Sequence, residues 1–248
     1  MKILVCISHV PDTTSKINFS DDNTKFDTNG VQFVINPNDE FGLTRAMWFK
    51  EKQGAQVTVA NVGGAETEPT LRKALAIGAD EAIRVNTPAT DGFSVAKQLA
   101  NVINNGGFDL VIAGRESIDY NGGMVPGMIA GLISANFVNN CIGLEVDGTS
   151  AKAIREIDGG KESVSTSLPL VIGGQKGLVE ESDLRIPNMR GIMMARKKPL
   201  NVVEPIETNA ETTSVSFEKP TPKGAVTLVS PDNLDELVSL LHNEAKVI

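Results

Sequence analysis

The sequence predicts an α/β fold with a doubly wound, mostly parallel sheet. Four apolar runs rich in Val, Ile, Leu and Ala have the length of strands buried on both faces, at residues 3–7, 57–62, 82–85 and 110–113. Segments with helical periodicity lie between most of these runs. Alternation of strand and helix favours right-handed crossovers that place helices on both faces of one sheet.

The region between the first two runs contains other elements. Pro11 predicts a turn that ends the first strand, because proline cannot donate to the strand ladder. Residues 16–19 and 31–35 are β-type runs separated by Asp, Asn and Gly, and we expect them to pair as a hairpin. Residues 36–39 have proline and an acidic side chain where a helix begins, and Gln53-Gly54 ends that helix.

Two more helices complete the alternation, at residues 68–77 and 91–105. In a doubly wound sheet, ligands bind beyond the carboxyl ends of the strands, at the point where the strand order reverses. The loops after Ile7, Val62 and Ala113 follow such strand ends. We therefore expect these three loops to converge on one ligand.

The pattern changes after residue 140. Residues 142–146, 152–157 and 162–167 indicate a small antiparallel excursion with Asp-Gly turns, and residues 170–172 can return to the main sheet. Residues 181–199 look polar and irregular, with methionines among basic residues. This loop is either a solvated connection or an adaptable partner-binding surface, since methionine repacks easily.

The C-terminal region has few core-forming residues. We expect an extended arm over residues 199–222 and an amphipathic helix over 232–247. The pattern leaves open whether the arm wraps a partner or folds back on its own domain.

The stretch from 108 to 128, FDLVIAGRESIDYNGGMVPGM, has the clearest functional signal. A short apolar run is followed by small residues and then by a helical segment that begins near Met128. Glycines allow close approach of the backbone to an anion, and a helix N-terminus offers free N–H groups and a positive dipole end. The loop is neither a Walker loop nor a dinucleotide fingerprint, so an ordinary glycine-rich turn remains open.

Composition narrows the function classes. A chain of 248 residues can form one large domain, and its net charge of −8 argues against nucleic acid and anionic membranes as partners. Aromatic residues make up 4%, which disfavours a stacking platform for a flavin ring. Cys6 and Cys141 lack metal-site spacing and suggest a reducing compartment. With no apolar run of membrane-spanning length and no presequence pattern, we expect a cytoplasmic protein.

No catalytic set is evident. Only His9 and His242 are present, Ser117 lacks a nucleophile-elbow motif, and Glu116 with Asp119 is most simply a pair of turn acids. We expect neither a metal site nor a self-sufficient enzyme.

Several separated motifs together resemble the β subunit of electron transfer flavoprotein. In order they are KILVCISHVPDTTSKI, INPND, TLRKALAIGAD, DLVIAGRESID, and REIDGGKE followed by LPLVI. The similarity runs from Met1 to about Pro199. It implies an adenine-nucleotide α-hydrolase-like fold and an obligate heterodimer with an α subunit that binds most of the FAD. It also implies electron transfer from acyl-CoA dehydrogenases and related flavoenzymes, as in fatty acid β-oxidation.

The resemblance further implies AMP in this subunit. The family's AMP contacts fall on Cys6, Asn36, Pro37, Asn38, Asp39, Val62, Ser117, Ile118, Asp119, Asn121, Gly122, Gly123, Met124, Val125, Gly127 and Met128. Small side chains at Cys6 and Val62 suit close approach of an adenosine. The amides around Gly122, Gly123 and Val125 are expected to face the phosphate.

The same resemblance divides the chain. Residues 1–199 correspond to the nucleotide-binding domain, with a partner-recognition loop at 184–198 and its apolar anchor at Met189. Residues 200–248 correspond to an arm and helix that pack on the partner subunit.

The chain departs from the family pattern at several positions. A basic residue is usual at Ser8, a small side chain such as Thr or Ala at Gly173, and a Lys at Met194. A Thr and a Gln are usual after Asp119, where this chain reads YNGGM. The phosphate loop has therefore lost side-chain donors and is left with main-chain amides and Asn121.

Three functions remain open from the sequence. The first is an electron-carrier subunit with structural AMP. The second is the β subunit of an electron-bifurcating complex with a second FAD in place of AMP. The third is a stand-alone nucleotide-binding regulator of the universal-stress type.

Overall fold

The fold is described by a computed structural model that covers residues 1–222 and 224–248. The strands in that part of the chain are β1 (Lys2–Cys6), β2 (His9–Pro11), β3 (Asn18–Ser20), β4 (Lys25–Asp27), β5 (Phe33–Ile35), β6 (Gln56–Val62), β7 (Glu81–Val85), β8 (Leu110–Gly114), β9 (Asn136–Asp147), β10 (Ser150–Ile157), β11 (Gly160–Ser167), β12 (Leu170–Gly174) and β13 (Leu200–Val203). The helices are α1 (Pro37–Gln53), α2 (Glu68–Ile77), α3 (Gly92–Gly106), α4 (Val125–Ile133), α5 (Met189–Ala195) and α6 (Leu234–Ser239). A π-helical segment, Leu240–Ala245, continues α6.

Nine strands form one sheet in the order β11-β10-β9-β12-β8-β1-β6-β7-β13. Every neighbouring pair from β9 to the β13 edge of this sheet is parallel. At the other edge, β10 is antiparallel to both β9 and β11. After β1 the chain builds β6 and β7 on one side and then returns to β8 on the other. The strand order therefore reverses between β1 and β8, which confirms the predicted doubly wound sheet with an antiparallel excursion.

Helices cover both faces of the sheet. Ile3 and Val5 of β1 belong to one hydrophobic cluster with residues of α1 and α2, including Leu43 and Leu71. Leu4 and Cys6 belong to a second cluster with residues of α3 and α4. Alternate residues of a strand point to opposite faces, so β1 is buried from both sides. None of the described helices is both long and apolar enough to cross a bilayer.

The predicted hairpin between residues 16–19 and 31–35 is wrong. Strand β3 pairs with β4 in a short hairpin, and β5 pairs with β2. The intervening turn has positive φ angles at Asp21, Asp22 and Asn23, so the chain reverses locally before it reaches residue 31. The turn predicted at residues 8–12 is wrong, because residues 9–11 form β2, and Pro11 is its last residue, where a missing donor is tolerated.

Two further differences lie near the C-terminus. The segment 181–199, predicted to be irregular, contains helix α5, which packs on α2. Arg72 of α2 donates hydrogen bonds of 2.8 Å to the carbonyl oxygens of Ala195 and Lys198. Strand β13 pairs with β7, so the main sheet extends beyond position 199, where the arm was expected to begin.

The first part of the arm folds back on its own chain. Gln98 of α3 bonds the backbone of Ile206, and the Asp91 carboxylate accepts from the amides of Glu211 and Thr212. Further along, the ring of Phe217 stacks on Phe19 with centroids 5.0 Å apart. Helix α6 behaves differently, because its apolar side chains are exposed, including Leu234, Leu237 and Val238.

Asp91 joins the arm to the start of α3, and its removal tests that connection. Its carboxylate caps α3 by accepting a hydrogen bond from the Ser94 amide at 2.8 Å. It also accepts one from the Glu211 amide of the arm at 2.7 Å. The Ser94 hydrogen bond is the main cause that lowers the Asp91 pKa to about 2, and the arm amides lower it further. A depressed pKa means that Asp91 stabilises the fold above about pH 4 and loses this effect as the pH falls towards 2.

We expect Asp91→Ala to cost about 0.5–2 kcal/mol of stability, as for loss of a helix cap, and to make residues 204–222 more sensitive to protease. Urea denaturation and limited proteolysis measure the two effects. Ser94→Ala is the matched control, since it removes half of the capping box without touching the arm. Equal protease sensitivity of the two variants would contradict the connection.

Candidate functional site

The carboxyl ends of β1, β6 and β8 lie side by side. Cys6 pairs with Ala60 of β6, and Val5 pairs with Ile112 of β8. Since β1 is the central strand of the three, the loops that follow all leave from one edge of the sheet. The three strand ends are therefore neighbours, as a single ligand site between their loops requires, and the ligand itself stays a prediction.

Asp39, in the first turn of α1, bridges the ends of β1 and β8. Its side chain is 2% exposed. One carboxylate oxygen accepts from the Ser8 amide at 2.7 Å, and the other accepts from the Gly114 amide at 2.8 Å. Burial raises the pKa of the Asp39 carboxyl to about 7, although hydrogen bonds from Ser8, Asn36 and Gly114 oppose the rise.

Asn36 and Asn38 attach the same helix start to the loop after β8. Asn36 is fully buried; its side chain donates to the Glu116 carbonyl at 3.0 Å and accepts from the Ile118 amide at 3.2 Å. Asn38 also donates to the Glu116 carbonyl at 3.0 Å. The polar side chains of this segment thus hold protein backbone, a role that the sequence analysis did not assign to them.

Asn61 of β6 connects its strand to the end of β1, on the side of β1 opposite β8. This residue is 4% exposed and donates to the Ile7 carbonyl at 2.8 Å. Its side-chain oxygen has no hydrogen-bond partner among the described residues. Sequence reasoning missed Asn61, although a polar residue within the apolar run of β6 was a visible signal.

Cys6 and Val62 lie at the strand ends as predicted, each 7% exposed, on the face covered by α3 and α4. Burial and, secondarily, the Asp39 charge raise the pKa of the Cys6 thiol, so the thiol is neutral and unreactive. Both side chains are compact and apolar at this edge. They suit a wall against a flat, mostly apolar group such as adenine.

The glycine loop leads into α4, which begins at Val125 rather than near Met128. Asn121 and Gly123 have positive φ angles of 49° and 61°, and Met124 returns to right-handed geometry. A left-handed residue beside a right-handed one turns successive amides towards one concave side. Within the described residues, no acceptor is assigned to the amides of Gly122 and Gly123.

The other predicted loop residues surround this turn. Ser117 and Ile118 are half-buried, whereas Asp119 is exposed. Met124 is 47% exposed, and its sulfur lies 3.0 Å from where a Cβ on Gly92 would be. Tyr120 is 71% exposed. Of the remaining predicted contacts, Pro37, Gly127 and Met128 are half-buried.

A cavity of about 1080 Å³ lies beside the start of the loop after β8, and of the predicted AMP contacts Ile118 and Asp119 line it. Its lining includes His9, Glu66 and Asp119, which follow β1, β6 and β8 in turn, together with Phe33 and Phe217. The His9 ring stacks on Phe33 with centroids 4.3 Å apart, and its Nδ1 atom lies 2.8 Å from the Thr70 hydroxyl. Burial lowers the pKa of His9, while Glu66 and Asp119 act in the opposite direction.

Comparison with known proteins identifies the family. The family described as electron transfer flavoprotein domain matches residues 23–208. The electron transfer flavoprotein subunit beta of Bacillus subtilis (strain 168) is 36% identical, with all of both chains covered. The subunit of the same name from Syntrophomonas wolfei is 34% identical over 91% of this chain and 88% of its own. The human subunit is 30% identical over 100% of this chain and 99% of its own.

This chain belongs to the electron transfer flavoprotein β-subunit family. The motif resemblance found in the sequence is thereby confirmed, and so is the α/β fold that it implied. Among the described residues, no group of three or more His, Cys, Asp or Glu side chains is placed to hold a metal ion.

One departure from the electron transfer flavoprotein pattern has a direct structural reason. A Cβ at Gly173 would collide with the side-chain oxygen of Asn139, which is buried and has no partner among the described residues. Asn139 therefore occupies the space that a Thr or Ala would need at position 173.

The predicted partner anchor lies away from the strand ends. Met189 is the first residue of α5 and is 76% exposed. Ile186 at 84% and Met193 at 67% exposure lie close to it in the chain. The structure thus separates the candidate nucleotide site from an exposed apolar surface on the same chain.

Gly114 offers a direct test of the bridge between α1 and the strand ends. A Cβ at this position would collide with the Asp39 carboxylate and lie 2.9 Å from the Asn38 Cβ. We expect Gly114→Ala to lower the free energy of unfolding by about 1–3 kcal/mol, as for overpacking. Denaturant titration of the purified protein measures the loss.

Gly131→Ala is the matched control for this substitution. Gly131 lies in α4, and a Cβ there would meet nothing within 4 Å. Alanine in a helix interior is favoured over glycine by up to about 1 kcal/mol, so this variant should be unchanged or more stable. Similar losses in both variants would argue against a close-packed bridge at Gly114.

Proposed function

We propose that this chain is the β subunit of a heterodimeric electron transfer flavoprotein, with AMP bound as a structural group at the carboxyl edge of its sheet. The α subunit supplies most of the FAD site, and this chain helps to hold that FAD. The complex accepts electrons from acyl-CoA dehydrogenases and similar flavoenzymes in the cytoplasm. Membership of the family over the whole chain supports the electron-carrier role.

The observation that carries the nucleotide assignment is the glycine loop. It presents amides of Gly122 and Gly123 without assigned acceptors, directly before the N-terminus of α4. Four amides at a helix start lack intrahelical partners, and the helix dipole favours an anion there. A phosphate accepts from such amides without any charged side chain. Pro126 removes one donor, so the amides of Gly122, Gly123 and Val125 are the ones assigned to the phosphate.

The adenosine part fits the strand ends next to this loop. Cys6 and Val62 provide small apolar walls, and residues 36–39 define the edge of the cleft. The side chains of Asn36 and Asp39 hold the loops, so their contribution to AMP binding is mainly through the backbone that they position. Pro37, Asn38, Ser117, Ile118, Asp119, Asn121, Met124, Gly127 and Met128 complete the proposed contact set.

The chain acts as a carrier subunit rather than as an enzyme. FAD, when bound in the complex, supplies the redox chemistry, and this chain contributes position, enclosure and partner surfaces. The recognition loop 184–198 presents Met189 to a dehydrogenase, and methionine-rich surfaces adapt to more than one partner. The part of the arm beyond Phe217 and α6 are assigned to the α subunit, because exposed apolar residues on α6 need a covering surface.

Co-expression with an α subunit tests the proposal. We expect a yellow heterodimer that releases one FAD and one AMP on denaturation, measured by absorbance and mass spectrometry of the released ligands. A colourless monomer without nucleotide would overturn it and would favour a stand-alone regulator of the universal-stress type, if that monomer binds ATP.

The cavity beside the start of the loop after β8 favours a second candidate. Its volume of about 1080 Å³ is at the upper end of the range for ligand sites, and of the proposed AMP contacts Ile118 and Asp119 line it. The second candidate is an electron-bifurcating complex with FAD, instead of AMP, in the β site. Two FAD molecules per heterodimer would support it, and one FAD with one AMP excludes it.

The shape of the phosphate loop can be tested with two neighbouring glycines. Gly123 has a φ of +61°, so alanine there is strained by about 1–2 kcal/mol. We expect Gly123→Ala to distort the concave turn and to weaken AMP retention about tenfold, measured by equilibrium dialysis of the heterodimer.

Gly122→Ala is the control, because a Cβ there would lie 3.7 Å from Met124, an ordinary contact, and the residue has no positive φ. This variant should retain AMP like the wild type. Equal retention by all three proteins would show that the loop does not bind the phosphate.

A further inference from the structure

The Asp39 side chain connects two strand ends that backbone hydrogen bonds alone leave free to separate. The last ladder pair between β1 and β8 is Val5 with Ile112, so Ser8 and Gly114 lie beyond it. Asp39 joins their amides through its two oxygens, at 2.7 and 2.8 Å. This carboxylate connects the ends of β1 and β8 where the strand order reverses, together with Asn36, whose backbone amide donates to the Ser8 carbonyl at 3.1 Å.

This bridge extends to the glycine loop. Through Asn36 and Asn38, the same turn of α1 also holds the Glu116 carbonyl and the Ile118 amide. These two residues immediately precede the loop that leads to α4. A change in the position of the α1 N-terminus is therefore transmitted to the amides that face the proposed phosphate.

We propose that Asp39 is a positioning residue for the adenylate: it binds no part of the nucleotide and sets the geometry of the cleft that does. This inference rests on the proposed AMP site. It reassigns Asp39 from a direct contact, as the family resemblance implied, to a group that acts through the Ser8 and Gly114 amides. Both carboxylate oxygens are already occupied by these amides, and the side chain is 2% exposed.

The protonation state of Asp39 affects this role. Burial raises its pKa to about 7. The carboxylate accepts both amides in charge-assisted hydrogen bonds, which are stronger than neutral ones. The protonated acid loses that advantage and directs an O–H towards a donor. Burial nevertheless raises the pKa, so ionising Asp39 costs free energy in the folded protein and the two hydrogen bonds offset only part of that cost. The cleft therefore loses stability as the pH rises through 7.

Five other titratable groups lie on the elements around Asp39. They are Cys6 on β1, His9 after β1, Arg115 and Glu116 after β8, and Glu40 on α1 itself. The raised pKa of Cys6 keeps its thiol neutral in this range. Burial lowers the pKa of His9, so its ring is already neutral where Asp39 titrates. Glu116 pairs with Arg115 at 2.6 Å, and Glu40 pairs with Lys73 at 2.9 Å.

The test is the rate at which the heterodimer releases AMP. Complexes of the wild type, Asp39→Asn and the control Glu40→Gln are loaded with labelled AMP and chased with excess unlabelled AMP at pH 6, 7 and 8. Asparagine keeps the shape of the side chain but has only one acceptor oxygen. We expect Asp39→Asn to release AMP about tenfold faster than the wild type at pH 8, as for loss of one charged hydrogen bond.

The pH profile separates positioning from general destabilisation. We expect wild-type release to accelerate from pH 6 to pH 8, as the buried carboxyl ionises, and the Asp39→Asn rate to show less change. The phosphate of AMP itself titrates near pH 6, so the difference between the two proteins is the quantity to compare. Glu40→Gln should match the wild type at each pH, and melting temperatures measured in parallel report overall stability.

Each outcome is decisive. A wild-type profile that is flat between pH 6 and 8 overturns the inference, even if Asp39→Asn cannot be purified. Equal or slower release by Asp39→Asn at pH 8 also overturns it and would indicate that the charge mainly repels the phosphate. A wild-type heterodimer that retains no AMP overturns the proposed function and this inference together, whereas the other results affect the inference alone.

Discussion

The buried carboxylate of Asp39 joins the ends of β1 and β8, and the buried amide of Asn61 joins β1 to β6. Burying such groups is costly unless they are hydrogen-bonded, and both find backbone partners in the region where the strands begin to diverge. The Asp39 bonds lie beyond the last β1–β8 ladder pair, and the Asn61 bond adds to the backbone bond from Ile7 to Ala60. Three loops consequently start from fixed points, and the geometry of the whole carboxyl edge depends on these two side chains.

In this arrangement, side chains and main chain have different roles at the carboxyl edge of the sheet. Buried side chains of α1 and β6 fix the positions of the loops, while the glycine loop carries the main-chain amides that we propose for the phosphate. Backbone donors do not depend on residue type, provided that the turn keeps its left-handed positions at Asn121 and Gly123. A loop can therefore lose a Thr and a Gln, as this one has relative to its family, and retain the geometry of an anion site.

The sequence predicted the regular elements well because their signals are local. Helix α2 has the predicted bounds, and the four parallel strands lie where apolar runs indicated. Pairing is a non-local property: the run containing β5 is β-type whichever strand it joins, so its pairing with β2 was not predictable from pattern. Helix α5 depends on contacts from Arg72 of α2. The Asp39 residue was interpreted as a helix-dipole acid and an AMP contact, since the motif gives its position but not the direction or burial of its side chain.

The exposed apolar surfaces lie on α5 and α6, which are not part of the candidate nucleotide site. The polar side chains at the strand ends are hydrogen-bonded to neighbouring backbone. The surfaces that can bind large partners therefore lie on elements outside this edge of the sheet. Helix α5 and α6 expose Met and Leu side chains that a free-standing protein rarely leaves in water. Among the basic residues at 185–198, Arg185 pairs with Glu51 and Lys198 donates to backbone carbonyls of Leu75 and Ala79. Arg190, Arg196 and Lys197 are exposed in the same segment as Met189. In the proposed recognition role, exposed basic side chains orient an acidic partner before contact, and the methionines then adapt to its shape. Orientation by charge and adaptation by methionine together favour brief, repeated encounters, which is what a carrier of electrons requires.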